Sequence, residues 1–352
     1  MTQPIFDGHN DCLLKLHRGG PGAAARYRGG MPGHVDLPKA KSGGFAGGFY
    51  AMFVPDEGPM DWSVMRNAQY DLPLPPMVAQ DAARAVVVEQ AAILQELHDH
   101  GDLTICTDAT TLRDTIDQRQ QAAIMHLEGA EAIDPELQFL DTLYDLGLRS
   151  LGPVWSRPTI FGHGVPFRYP SDGDTGPGLT EAGFRLVERC AQMGIIVDLS
   201  HLNVAGFHDV ATTRVPLVAT HSNAHAICPH ARNLTDDQLR MIGRTNGMVG
   251  LNFASAFLRP DGQMLPQGAL EWMVRHLDHM IELAGEDHVG FGSDFDGAVV
   301  PEEIGSVAGL DALREAMVTH GYDDALMAKL CAGNWIALCE RVWKPAPRIA
   351  VT

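Results

Sequence analysis

The feature that most constrains the fold is a series of eight short apolar runs, spaced along 352 residues and separated by longer segments of helical periodicity. Most of these runs are continuous in Val, Ile and Leu, which is typical of strands buried on both faces. Strands that alternate with helices form parallel sheets, and about eight of them favour a closed barrel. We therefore predict a (β/α)8 TIM barrel, formed as one domain over residues 1–352. The predicted strands are Pro4–Gly8, Phe49–Val54, Ala122–Leu127, Ser150–Val154, Ile195–Leu199, Leu217–Thr220, Met248–Asn252 and Val289–Gly292.

The segments between the runs predict helices and two long insertions. Thr180 and Thr235 precede acidic residues and are typical of helix N-caps. Gly19–Gly48 and Phe161–Gly178 are rich in Gly, Pro and charge, so we predict surface loops over the C-terminal face of the barrel. Asp323–Val342 is expected to form a closing helix. The other predicted helices are Ala79–His100, Pro135–Leu146, Thr180–Met193, Thr235–Ile242 and Gln267–Ala284.

Composition narrows the class of protein. The 26 basic and 44 acidic side chains give a net charge of −18, which argues against binding to nucleic acid or to an anionic membrane. The chain has neither a recognisable targeting segment nor an apolar run of membrane-spanning length, and we expect a cytoplasmic protein. Its six cysteines contain no CxxC pair, as expected for reduced, buried thiols.

Residues that can bind a metal follow five of the predicted strands. In a barrel of this type the C-terminal strand ends meet at one face, where active sites are built. A lone histidine at such a position is more often structural, but the joint pattern favours a metal site. The segments are Gly8-His9-Asn10-Asp11, His126-Leu127-Glu128-Gly129, Asp198-Leu199-Ser200-His201, Ala219-Thr220-His221-Ser222 and Gly292-Ser293-Asp294-Phe295-Asp296-Gly297.

The donor types indicate two divalent ions rather than one. His9 and Asp11 are two residues apart, so in a strand both side chains point to the same face and can reach one ion. Imidazole and carboxylate together suit zinc or a similar metal. Three histidines and two or three carboxylates exceed what one catalytic zinc needs, and they fit two ions that share a bridging carboxylate.

At these residues the chain resembles the membrane dipeptidase (renal dipeptidase) family of zinc peptidases in the amidohydrolase superfamily. The ordered set runs over nearly the whole chain, although single pieces such as His-x-Asp are weak signals. The matching motifs are Asp7-Gly8-His9-Asn10-Asp11, Glu128-Gly129, Asp198-Leu199-Ser200-His201, His221-Ser222, Ala231-Arg232-Asn233, Gly292-Ser293-Asp294-Phe295-Asp296-Gly297 and Gly333-Asn334.

The resemblance implies a dipeptidase that holds two zinc ions per chain and acts on small-molecule dipeptides. His9 and Asp11 would hold one zinc and His201 and His221 the other, and both Glu128 and a hydroxide would bridge the two ions. Arg232 would bind the terminal carboxylate of the substrate, since its planar fork matches a carboxylate. Asp294 would transfer protons. The resemblance also allows a D-residue at the C-terminal position of the dipeptide.

Two positions depart from the family pattern and concern the substrate rather than the metals. Trp155, in Val154-Trp155-Ser156, stands where family members carry a histidine that contacts the scissile carbonyl. Phe257 replaces a tyrosine that helps to hold the terminal carboxylate. His163, in the second predicted loop, could supply the missing imidazole, or it could be an ordinary loop histidine.

Three alternatives follow for the function. The apolar replacements at Trp155 and Phe257 could shift the substrate toward N-acyl amino acids or other small amides. Another binuclear amidohydrolase would often use a carboxylated lysine, but none of the five lysines follows a middle strand. A non-catalytic metal-binding barrel is less consistent with Asp294, because a structural zinc is normally closed by four ligands. A homodimer is compatible with the sequence.

Overall fold

The computed structural model describes residues 3–56, 58 and 60–343. Its main sheet contains a series of eight parallel strands: β1 Ile5–Asn10, β2 Phe45–Phe53, β3 Ala122–Glu128, β4 Leu148–Gly152, β5 Ile196–Val197, β6 Val218–Ala219, β7 Met248–Leu251 and β8 Val289–Phe291. Neighbours in the sheet follow the order β5-β4-β3-β2-β1-β8-β7-β6. A parallel bridge between Asp198 and Val218 links the two ends of this series, so the predicted barrel is confirmed.

Helices connect and surround the strands. Thr180 and Thr235 accept backbone hydrogen bonds as N-caps, and Thr235 forms a reciprocal capping box with Gln238. The predicted closing helix is present but is interrupted by one π-helical turn, Lys329–Gly333. The α-helices are Cys12–Arg18, Ala23–Gly29, Leu37–Gly43, Gln80–Asp99, Ala109–Asp117, Gln138–Asp145, Glu181–Met193, Val204–Ala211, Asp236–Arg244, Ser255–Leu258, Leu270–Ala284, Leu310–His320, Asp324–Ala328 and Asn334–Val342. In the part of the chain that the structure describes, no helix has the length and apolarity needed to cross a bilayer.

The prediction of a loop over Gly19–Gly48 is wrong. This segment contains the helices Ala23–Gly29 and Leu37–Gly43, and strand β2 already begins at Phe45. Asp36 caps the second helix through the backbone N–H of Lys39. Seven-residue helices between glycines give too few turns for periodicity to reveal them.

The prediction of a loop over Phe161–Gly178 is wrong in part. Within it, Phe167–Tyr169 forms a strand that pairs antiparallel with Tyr70–Leu72. A further short strand, Thr104–Ile105, runs beside β3.

The two ends of the barrel are filled differently. The N-terminal end is closed by the last helix, where Trp335 is fully buried and its Nε1 donates to the Phe291 carbonyl at 3.0 Å. A side chain at Gly8 would lie 2.4 Å from the Trp335 ring, so this close approach requires glycine. At the C-terminal end an aromatic cluster lies over the strand ends. We call its three inserted segments, residues 60–72, 167–169 and 254–264, the roof.

Candidate metal centre

One half of the site joins the first and third strands. His9 is fully buried at the end of β1, and its Nε2 lies 3.6 Å from Asp11 Oδ2 and 3.6 Å from Glu128 Oε2. Strand β1 ends at Asn10, so Asp11 is the residue that precedes the helix Cys12–Arg18 rather than a strand residue. Its carboxylate nevertheless lies beside His9, as the spacing predicted.

The other half lies against the second oxygen of the same glutamate. Glu128 Oε1 is 3.0 Å from His201 Nε2 and 3.7 Å from His221 Nε2, and these two nitrogens are 3.0 Å apart. The two oxygens of Glu128 therefore face two separate donor groups. This division is what a carboxylate that bridges two cations requires.

Hydroxyl groups fix the orientation of the two histidines. Ser156 Oγ lies 3.0 Å from His201 Nδ1, and Thr220 Oγ1 lies 2.8 Å from His221 Nδ1. Engaging Nδ1 leaves Nε2 directed at Glu128, which is how outer contacts orient the imidazoles of a metal site. Asp198 holds this arrangement from below, because its carboxylate accepts from the Thr220 backbone N–H at 2.8 Å and from Thr220 Oγ1 at 2.7 Å.

The electrostatics of the site suit cations. Burial, with a contribution from Arg232, lowers the pKa of His201 and His221 well below the usual range, so both imidazoles are neutral, as ligands must be. Burial raises the pKa of Glu128. For His9 burial acts to lower the pKa, but the nearby Glu128 and Asp11 outweigh it and raise the value to about 10.

The residues present fit a pair of metal ions. Both ring nitrogens of His9 are buried without a hydrogen-bond partner among the described residues. A buried polar atom of this kind is rare in proteins and requires an explanation, such as an ion. The surrounding donors are imidazole nitrogens and carboxylate oxygens, the set that zinc and similar divalent metals prefer. Among the described residues, three groups of donor atoms lie close enough together to hold an ion, and all three include His9. They are His9, Glu128 and His221; His9, His126 and Asp198; and His9, Asp11 and Asp294.

Asp294 lies at the edge of this centre in a left-handed backbone conformation, with φ of 59°. Its backbone N–H donates to the His9 carbonyl at 3.0 Å, which ties the last strand end to the first. Asn252 Nδ2 donates to Asp294 Oδ2 at 3.0 Å, so Oδ1 remains available. Burial raises the pKa of this carboxyl.

A cavity of about 600 Å³ opens directly above these groups. Its base is formed by Asp11, Glu128, His201 and Asp294, and the roof encloses it from above. Of the residues predicted to contact substrate, Trp155 and Phe257 line this cavity, whereas Arg232 and His163 are not among its lining residues.

Arg232 is buried beside the metal centre. Its guanidinium donates to the backbone carbonyl of Ser200 and, at 3.1 Å, to that of His221, while Nε has no hydrogen-bond partner in the described part of the chain. The guanidinium carbon lies 5.5 Å from the centre of the Phe257 ring. Burial lowers the pKa of Arg232 to about 10, although the surrounding carboxylates oppose this effect. His163 lies farther out, and its Nδ1 is 3.3 Å from the Gly178 carbonyl.

Several residues of the site did not stand out in the sequence. Phe167, Trp62 and Asn252 lie outside the five strand-end motifs, and no local pattern distinguishes them. His126 was visible in the motif that follows the third strand. Its Nδ1 lies 2.9 Å from Ser150 Oγ and its Nε2 is 3.6 Å from Asp198 Oδ2, beneath the proposed ligands.

Known proteins resemble this chain over almost its whole length. A model of the family "Membrane dipeptidase (Peptidase family M19)" matches residues 1–350. The crystal structure of a metallopeptidase from Rhodobacter sphaeroides, liganded with a phosphinate mimic of the dipeptide L-Ala-D-Ala, is 52% identical, with a TM-score of 0.95, and the match covers 97% of this chain and 100% of that one.

Two further relatives are similar to this chain over most of its length. The crystal structure of dipeptidase AC, a metallopeptidase of family M19, is 53% identical with a TM-score of 0.94, over 97% of this chain and 99% of that one. A protein from Klebsiella pneumoniae described as "Uncharacterized protein in pqqA 5'region" is 44% identical over 262 residues, which are 74% of this chain and 97% of the relative. The chain therefore belongs to the membrane dipeptidase family, peptidase family M19, and is a metal-dependent peptide-bond hydrolase.

Proposed function

We propose that this protein hydrolyses the peptide bond of dipeptides, including those with a D-residue at the C-terminal position, and that it uses two zinc ions per chain. The observation that carries the proposal is the division of Glu128 between two donor groups, with Oε2 facing His9 and Oε1 facing His201. The R. sphaeroides relative binds a mimic of L-Ala-D-Ala, which supports the substrate class and the stereochemistry.

His9 and Asp11 would hold one zinc, His201 and His221 the other, and Glu128 would contact both. When bound, such ions lower the pKa of water and polarise the carbonyl of the scissile amide. The hydroxyls of Ser156 and Thr220 keep the two imidazoles in the orientation that this task needs.

Asp294 would act as the general base and then as the general acid. Asn252 occupies Oδ2, so Oδ1 is the atom that takes a proton from the attacking water and returns it to the leaving amine. The carboxyl lines the cavity and its pKa is raised by burial, which suits a group that must release the proton again.

Arg232 would anchor the terminal carboxylate of the substrate. Two carbonyls each accept one of the five N–H groups of its guanidinium, and Nε, which has no partner among the described residues, is one of the donors left for a carboxylate. The Phe257 ring packs against this guanidinium and also lines the cavity. The terminal carboxylate of the substrate would therefore lie on the Phe257 side of the cavity. The sequence left two interpretations of His163. It has no proposed role, because its ring contacts the Gly178 carbonyl, whereas Arg232 contacts the backbone of the proposed ligand His221.

One observation favours a second candidate, an amidase acting on N-acyl amino acids or other small amides. Trp155 and Phe257 both line the cavity and offer rings where an imidazole and a phenol would contact a dipeptide in the family pattern. An acyl group in place of the amino-terminal residue would suit such a surface.

The same experiment separates these functions. Zinc-loaded protein is assayed with L-Ala-L-Ala, L-Ala-D-Ala, their C-terminal amides and N-acetyl-alanine, in wild type and in Arg232→Ala. We expect turnover of the free dipeptides, little of the amides, and a large loss with Arg232→Ala on free acids only. Preference for N-acetyl-alanine would favour the amidase. Turnover of none of these compounds would contradict both enzymatic functions and favour a metal-binding barrel.

We also propose that residues 1–352 act as one catalytic unit, in the cytoplasm and as a homodimer. All six cysteines are buried and unpaired, which suits a reducing compartment.

The exposed side chains Leu74 and Met77 offer apolar surface for a second copy. Sedimentation of wild type and of Leu74→Ser/Met77→Ser tests the dimer, and a monomeric wild type would contradict it.

A further inference from the structure

We propose that Phe167 is a specificity-determining residue, and that the aromatic wall around it selects dipeptides with a large apolar side chain. The proposal rests on the proposed function, because it names the substrate class within the dipeptides. Phe167 lies in the strand Phe167–Tyr169, within the roof and above the metal centre.

The roof is a tied structure rather than three independent loops. Leu72 pairs with Phe167 in the antiparallel strand pair, and Tyr70 pairs with Tyr169. The Tyr70 hydroxyl donates to the Gly262 carbonyl at 2.7 Å, and the Met264 N–H donates to the Met65 carbonyl at 2.8 Å. These bonds hold the three segments against one another, so the wall has a defined shape before substrate arrives.

Phe167 is the point where the rings of the wall meet. Its centroid lies 5.0 Å from Trp62, 5.5 Å from Trp155 and 6.3 Å from Phe257. It also lies 6.4 Å from His201, one of the metal ligands. A dipeptide bound at the metal centre would therefore place a side chain against Phe167.

The lining of the cavity favours an apolar group at this position. None of the roof side chains that line the cavity carries a charge, and among them Ser255 alone has a hydroxyl. They are Met60, Trp62, Met65, Phe167, Ala254, Ser255, Ala256, Phe257 and Met264. Methionines adapt to the shape of an apolar ligand, and aromatic rings offer large contact areas. A cavity of about 600 Å³ is within the range of sites for sizeable ligands, whereas a dipeptide of two alanines brings only methyl groups.

The charged lining residues outside the metal centre do not change this conclusion. The Asp296 carboxylate accepts from the backbone N–H groups of His34 and Val35, and Asp56 is bound by the buried Arg157. Arg18 is exposed at the end of the helix Cys12–Arg18. Among the residues that the structure describes, the wall around Phe167 is thus the part of the cavity without a competing charge.

The test compares kcat/KM for L-Ala-D-Ala with that for dipeptides in which either residue is replaced by Leu, Phe or Asn. Leu and Asn branch at the same carbon and differ mainly in polarity. We expect wild type to prefer Leu over Asn by at least about 10-fold at one position, since a methylene in an apolar pocket contributes about 10–200-fold. Phe167→Ala should remove most of this preference by lowering kcat/KM for the Leu dipeptide more than kcat/KM for the Asn dipeptide, while Phe167→Leu should restore part of it.

Two further variants keep the test decisive. Trp62→Ala removes a ring of the wall that is 37% exposed, so it should weaken the preference even if Phe167→Ala does not fold. Phe184→Ala, at 39% exposure on the outer helix Glu181–Met193, is the matched control and should leave the preference unchanged. Equal rates for Leu and Asn in wild type, or a loss in Phe167→Ala that is the same for every dipeptide, would overturn the proposal.

Failure of the proposed function gives a different result. If no dipeptide is cleaved, binding of the same dipeptides is followed by tryptophan fluorescence, because Trp62 and Trp155 both contact Phe167. Tighter binding of Leu than Asn dipeptides, lost in Phe167→Ala, would support the selectivity of the wall without catalysis. Equal binding would overturn it.

Discussion

The floor and the roof of the cavity are held in place by different kinds of contact. The floor, consisting of the proposed ligands His9, Asp11, Glu128, His201 and His221, projects from or directly follows barrel strands, and hydroxyls orient two of its imidazoles. The roof is an insertion whose side chains meet through ring contacts. Directional bonds tolerate little change in the residue that makes them, whereas apolar contacts tolerate replacement by groups of similar volume. In the proposals above, the floor accordingly carries the reaction and the roof selects the substrate.

The largest expected effect comes from the shared carboxylate. Glu128→Gln keeps the shape of the side chain but removes the charge that would hold two cations, so we expect metal content to fall below two and activity to fall by more than about 10⁴-fold, beyond a general acid–base effect. Elemental analysis after dialysis and a dipeptide assay measure both. Glu136→Gln, an exposed carboxylate after the same strand, is the control. Two retained ions with full activity would contradict the bridging role.

Asp294→Asn is the next largest change. We expect both metals to remain and the rate to fall by about 10²–10⁴-fold, because the amide cannot accept the proton of water. Asp296→Asn is a matched control, since Asp296 also has a positive φ and instead binds the backbone of His34 and Val35. That variant should keep its rate within about tenfold while losing about 1 kcal/mol of stability. Loss of metal from Asp294→Asn would indicate a ligand instead.

Acidification probes a buried histidine that joins the roof to the segment following His221. His276 Nδ1 accepts from the Ala224 N–H at 3.1 Å and its Nε2 donates to the Leu258 carbonyl at 2.9 Å. Burial lowers its pKa from 6.5 to about 4, so between these values the unfolded chain binds more protons than the folded one. Stability should therefore fall as pH falls from about 6.5 to 4, by up to about 3 kcal/mol for this residue.

Urea unfolding of metal-free protein at pH 7 and pH 5 measures this effect. His276→Gln should be less stable than wild type at pH 7 but should lose less stability on going to pH 5. The comparison between the two proteins removes the contribution of the other histidines. The same loss in both proteins would show that His276 does not titrate in this range.

The smallest effects of this series are expected beneath the floor. Ser156→Ala and Thr220→Val each remove a hydroxyl that orients a proposed ligand, and we expect metal affinity to fall by about 10–100-fold with the fold intact. Competition with a chelator of known affinity measures the change. The roof variant Trp62→Ala serves as the comparison and should leave metal affinity unaltered. A larger effect of Trp62→Ala than of Ser156→Ala would contradict the division between floor and roof.

The sequence predicts which side chains meet at the floor because the signal is local, while their roles as metal ligands stay predictions. Each proposed ligand follows or lies near the end of a short apolar run, and a barrel brings the C-terminal ends of such runs together. His9 and Glu128 are far apart in the chain, but their strands are both adjacent to β2 and their side chains lie 3.6 Å apart. Even the error over Asp11, which follows the strand, does not move its carboxylate from the site.

The roof could not be predicted in the same way, because its burial comes from tertiary contacts. Phe167 lies in a segment rich in Gly, Pro and charge, and its strand of three residues is too short to show alternation. Trp62 is near no strand end. The contacts of Ser156 with His201 and of Asn252 with Asp294 depend on the angles between neighbouring strands, which a single sequence does not specify.

The pairing of the first strand with the last determines when the site can form during synthesis. Asp7 Oδ1 accepts the backbone N–H of Ser293 at 2.6 Å across 286 positions of the chain, and Asp294 donates to the carbonyl of His9. Ribosomes release a chain from its N-terminus, so His9 and Asp11 emerge long before the strand that completes their surroundings. The nascent chain therefore exposes two metal-binding side chains without the partners that define their geometry. The contacts that join β8 to β1 around these residues can therefore form only after the chain has been synthesised through Ser293 and Asp294.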